Sequence, residues 1–175
     1  MSALASPEGL IRYLTTGGRR EVVLVVTSIS TGVSYTYRVR RAPETDKRTG
    51  RAARRRCWFV RVDDGHNGIY LGRIADRGDP EAVGGDRPSD DDHPNPGPFL
   101  VRGRMPPSAA AFAWLWRNVR PMPTDQRRYG TPPDGRFPSG VEVRHDGRCS
   151  RCGRALTDPE SIDVGMGPIC RAKAS

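Results

Sequence analysis

From Glu21 to Arg104 the chain reads as a run of short strands separated by turn residues, and this limits its fold more than any other feature. Val33, Tyr35, Tyr37 and Val39 alternate with Ser34, Thr36, Arg38 and Arg40. Successive strand side chains point to opposite faces, so one face is apolar and the other polar and basic. The valine-rich stretch Glu21–Ser30 precedes it, and Thr31-Gly32 predicts a hairpin turn between them. Cys57–Val62 and Ile69–Ile74 read as two more strands, joined by the turn Asp63-Asp64-Gly65-His66-Asn67-Gly68. Phe99–Arg104 reads as a fifth. Strands in such sequence pair antiparallel, which predicts an α+β fold: a small antiparallel β-meander or partial barrel with a packed helix.

Helix signals flank the strands. Ser6-Pro7-Glu8 starts one, with Leu10, Ile11 and Leu14 at helical spacing and Gly17-Gly18 as its stop. After Pro106-Pro107, Ser108 is the expected N-cap of a second. Its Phe112, Leu115, Trp116 and Val119 form one stripe for the sheet, while Trp114 points elsewhere and is expected to be partly exposed. The Pro-, Arg- and Gly-rich stretch 121–140 reads as a linker. The expected organisation is a β-rich domain over 1–120 and a C-terminal module over 141–175.

The 175 residues carry a net charge of +9 and a pI of about 10.1. Only Lys47 and Lys173 are lysines, so the positive charge is guanidinium, which binds phosphates and carboxylates bidentately. The net charge is +8 over residues 1–75, −5 over 76–92 and +6 over 93–175. Six cations fall in the ten residues 47–56, an extended run by mutual repulsion and one able to release counterions from a polyanion. The acidic stretch ending in Asp90-Asp91-Asp92 has no hydrophobic period and reads as a surface loop. The apolar run Val22 to Val26, like every other in the sequence, is far short of the ~20 residues of a membrane span. Met1 to Gly9 lack a basic, apolar leader, so a cytoplasmic location and no membrane partner are expected.

The densest chemistry lies near the C-terminus. Cys149 and Cys152 form C-x-x-C followed by Gly153, the pattern of a zinc knuckle. Gly153 supplies the backbone freedom of the tight turn that aims two thiolates at one ion. Cys170 is the third expected ligand. His145, four residues before Cys149, is the favoured fourth at low loop-closure cost, with Cys57 as its competitor. Four sulfur or nitrogen donors make a structural Zn2+ site. Disulfides suit a reducing compartment poorly, and a redox C-x-x-C needs a βαβ setting that is missing here. Between the ligands, Thr157 with Glu160, or Asp158 with Pro159, starts a short helix that Gly165 ends. Gly165-Met166-Gly167-Pro168 then turns Cys170 back to the metal.

The stretch His145 to Cys170, H-x-G-x-C-x-x-C-G-R-x-L-T-x-P-E-S-I-x-x-G-x-G-P-x-C, resembles the hallmark of a family of phage and bacterial proteins of unknown function, common in actinobacteria and their phages. Tyr35-Thr36-Tyr37-Arg38-Val39, the Trp58-Phe59-Val60 strand, Tyr70-Leu71-Gly72 and the tryptophan-rich helix are similar to some phage members in the same order. The inserts at 42–56 and 76–98 have no counterpart in that pattern. The resemblance implies a zinc-binding tail on a small β-rich domain. Related zinc modules occur on proteins that handle DNA.

Two functions follow as expectations. The first is non-specific nucleic-acid binding, DNA or RNA, through Arg38 and Arg40 on the basic strand face, Arg51, Arg54, Arg55 and Arg56 in the cationic run, and Arg148, Arg151 and Arg154 around the knuckle. The alternative is a phage accessory role that modulates a host or phage protein, with Trp114 as anchor. No nucleophile–base pair, phosphate loop or ordered carboxylate cluster points to an enzyme.

Overall fold

The computed structural model describes residues 1–4, 6–15, 19–43, 50, 57–66, 68–76, 96–101, 103–119 and 137–173. The cationic residues Lys47, Arg48, Arg51, Arg54, Arg55 and Arg56, the Gly17-Gly18 stop, the acidic stretch beyond Asp76 and most of the linker lie outside them.

Strand β1 (Ser2–Ala3) is followed by helix α1 (Pro7–Thr15). The Ser6 hydroxyl caps this helix by accepting from the Gly9 amide at 3.1 Å. The meander then runs through β2 (Glu21–Ser28), β3 (Ser34–Arg41), β4 (Cys57–Val62), β5 (Ile69–Asp76) and β6 (Pro96–Val101), each antiparallel to the next. Helix α2 (Pro107–Val119) follows. The expected N-cap Ser108 is therefore inside the first turn, because Pro107 with its fixed φ takes the first helical position.

At the C-terminal end, strand β7 (Val141–His145) pairs antiparallel along the free edge of β2, and β1 pairs along its other side. The sheet order is β1-β7-β2-β3-β4-β5-β6. The sheet is open rather than a partial barrel: β1 and β6 are its edges, and β6 carries Pro96 and Pro98, residues suited to an edge.

Register sets the two faces. Val22 lies opposite Val39, Leu24 opposite Tyr37 and His145, Val26 opposite Val143, and Val60 opposite Val39. These side chains, with Trp58 and Ile74, are buried on the inner face. Phe112, Leu115, Trp116 and Val119 of α2 pack onto it as their spacing predicts. The Phe112 ring meets Tyr37 at 5.0 Å and Phe99 at 4.9 Å, separations typical of tilted aromatic pairs. The Tyr37 hydroxyl donates to the Ser108 carbonyl at 2.7 Å, so this buried polar group is satisfied. Trp114 is 42% exposed, as its position on the helix predicts.

Candidate metal centre

After β7 the chain turns at Gly147 and closes a tight hairpin, with Arg148 bridging Ala155. The Cys149 amide donates to the Arg154 carbonyl at 2.8 Å, and the Gly153 amide returns to the Cys149 carbonyl at 2.9 Å. Gly153 has φ 75°, the left-handed conformation expected at this knuckle. Helix α3 (Pro159–Val164) starts at Asp158, whose carboxylate accepts from the Ser161 amide at 2.8 Å. The Asp158-Pro159 start is thus the one adopted, rather than the Thr157/Glu160 box. A further short helix, α4 (Pro168–Ala172), carries Cys170, where the sequence predicts only a turn.

These elements bring the Sγ atoms of Cys149, Cys152 and Cys170 within 4.8 Å of one another. Cys149 is buried, Cys170 half-buried and Cys152 exposed. Burial pushes the Cys149 thiol up, but the amides of Cys152, Gly167 and Arg151, and the Cys152 thiol, outweigh it and hold it at about 7, below its usual 9.0. Cys170 goes the other way, to about 11, through burial and the neighbouring sulfurs. Three sulfurs packed this closely, one wrapped in N–H donors, favour a bound cation over a third negative charge.

His145 is not in the cluster. Strand parity turns it to the inner face with Val143, opposite Leu24, where it is fully buried. Both ring nitrogens are engaged: Nε2 donates to the Ile162 carbonyl at 2.9 Å, and Nδ1 accepts from the Gly147 amide at 3.2 Å. That tautomer leaves no lone pair for a metal. Burial, against the pull of the Ile162 carbonyl, holds its basicity below the ordinary value. The alternation in Val141-Glu142-Val143-Arg144-His145 was the signal for this placement. Cys57 is elsewhere, half-buried on β4 opposite Ala75, its thiol pushed up by burial against the lowering effect of Arg73.

Sequence reasoning missed the group that docks the tail. The Asp146 carboxylate accepts from the Tyr13 hydroxyl at 2.8 Å and from both terminal nitrogens of Arg19, at 3.1 and 2.8 Å. Burial raises Asp146, but Arg19 and Tyr13 outweigh it and hold it below the usual carboxylate range. The Arg19 amide also donates to the Ser150 carbonyl at 3.0 Å. Gly165, with φ 69°, ends α3 so close to Tyr13 that an added Cβ would lie 2.6 Å from the ring.

The expected nucleic-acid arginines divide by environment. Arg148 donates to the Gly153 carbonyl and Arg151 to the Cys170 carbonyl, each at 3.2 Å, so both brace the knuckle. Arg154 is exposed. Arg38 is paired with Asp63 at 2.8 Å and Glu21 at 3.4 Å, while Arg40 is exposed.

Residues 141–175 match a family model described as a family of unknown function, DUF6011. The match takes in β7, the knuckle and both short helices. No curated protein and no solved structure matches the chain. Among the described residues no helix is long and apolar enough to cross a membrane.

Proposed function

We propose that Cys149, Cys152 and Cys170 hold one structural Zn2+ and that the chain binds nucleic acid without sequence preference. The observation behind the zinc reading is the set of three thiols within 4.8 Å around an amide-lined turn. Soft sulfur donors at this spacing suit Zn2+, and three thiolates leave one tetrahedral position for a donor other than His145. Zinc would fix the knuckle and hold Arg154 on a rigid turn. The nucleic-acid reading draws support from the net charge of +9 and the six cations in residues 47–56. It includes the phage-type setting inside a cell that the motif resemblance implies.

Metal analysis of protein purified without added metal tests the site: about one zinc per chain is expected, and a metal-free chain with an ordered tail overturns it. For nucleic acid, each neutralised phosphate adds about −0.9 to the log–log salt slope on duplex, or about −0.7 on single strands. Replacing Arg54, Arg55 and Arg56 by alanine should flatten the slope by up to about 2–3 units on duplex. No binding at low salt would defeat the reading. In that case a saturable, nuclease-insensitive protein partner anchored on Trp114 takes its place.

A further inference from the structure

The sheet has a second face, opposite the one under α2, and its composition is unlike a merely solvated surface. Register places two rows of side chains across its middle. In one, Glu21, Arg40, Phe59, Arg73 and Leu100 are successive cross-strand neighbours on β2 to β6. In the next, Val23, Arg38, Arg61 and Tyr70 follow one another on β2 to β5. The Phe59 and Tyr70 rings meet edge-on, with centroids 6.3 Å apart. Tyr70 is 38% and Leu100 45% exposed; Arg40, Arg61 and Arg73 are also exposed, and Phe59 is half-buried. Two adjacent aromatic rings thus lie among guanidiniums on an open sheet. Within the second row, Arg38 is ion-paired with Asp63 and Glu21.

We propose that this face, centred on Phe59 and Tyr70 with Arg40 and Arg73, is a binding platform for single-stranded nucleic acid. The inference rests on the nucleic-acid reading above and gives it a surface and a strand state. Unpaired bases present π-faces that stack on aromatic side chains, and phosphates between them meet the flanking cations. A duplex hides its base faces, so it can use the arginines but not the rings. The exposed rings, mixed with positive charge, favour this occupant over an apolar partner.

The test uses the full chain and a fluorescein-labelled oligothymidine of about 20 nucleotides, followed by anisotropy over a salt series. The parent should bind it more tightly than a duplex of equal length. Phe59→Leu with Tyr70→Leu keeps apolar bulk but removes both rings; affinity should fall about tenfold or more, with the salt slope unchanged. Arg40→Ala with Arg73→Ala should flatten the slope by up to about 1.4. Photo-crosslinking of the unaltered protein to an iodouridine oligonucleotide does not depend on variant folding, and crosslinks should map to Phe59 or Tyr70. Crosslinks confined to residues outside β4 and β5, a preference for duplex, or a folded leucine variant within about twofold of the parent overturns the platform. Each of those results leaves nucleic-acid binding through other arginines intact. No binding by the parent at low salt removes both.

Discussion

The meander and the tail are built by different physics. From β2 to β6 the fold is held by area: Leu24, Tyr37, Val39, Trp58, Val60 and Ile74 are buried on one face, and many contacts share the load. From Asp146 to Lys173 few large apolar side chains are buried, and order comes from turns, caps, one carboxylate clamp and three clustered thiols. A structure of the first kind loses stability gradually with substitution. One of the second kind depends on single atoms.

Metal removal should separate the two most sharply. Binding free energies on the order of 10 kcal/mol stand behind structural zinc sites, so a strong chelator or Cys152→Ser should release the tail. Trp58, buried on β4, should keep its native fluorescence meanwhile. Simultaneous loss of both signals would make the two regions one cooperative unit. Asp146→Ala comes next. It strands the Arg19 guanidinium and the Tyr13 hydroxyl in a site where the Arg19 and Asp146 side chains are only 20% and 18% exposed, at a cost of about 2–3 kcal/mol in urea denaturation. Gly165→Ala should cost about 2 kcal/mol, from the left-handed φ and the collision with Tyr13.

The smallest effect is a pH dependence. With His145 held below its ordinary 6.5 in the folded chain, the unfolded chain binds more protons as the solution is acidified. Its contribution is therefore complete above pH 6.5 and declines below it. The unfolding free energy from urea denaturation should fall more between about pH 7.5 and about pH 5.5 in the parent than in His145→Gln. The same variant should retain its metal, since the ring nitrogens are committed to Gly147 and Ile162. Zinc loss on that substitution would return His145 to the ligand set.

Legibility followed the range of the forces. Cys57–Val62 forms β4 with the bounds its pattern predicts, and the α2 stripe packs as its spacing requires, because both signals sit within a few residues. Three of the four expected ligands meet for the same reason: the C-x-x-C turn and the Asp158 cap are local. Two-residue β1 carries no period to read, and α4 is little longer than one turn. The position of β7 was hidden because its partner, β2, is remote in sequence, and closeness to Cys149 along the chain carries no information about which face His145 takes. Once β7 is in the sheet, parity turns His145 to the inner face opposite Leu24.

The insertion of β7 beside β2 also sets an order of events during synthesis. Strands β2 to β6 leave the ribosome in sequence, and each can pair with the one before it. The far side of β2 must wait, because Val141 to His145 are translated after the whole meander and α2. Through that interval the backbone amides and carbonyls of a valine-rich strand form an open template, available to any neighbouring nascent chain on the same messenger. Chains truncated before residue 141 keep that template permanently, and precipitation of such fragments is the expected trace of a sheet whose inner seam is closed late.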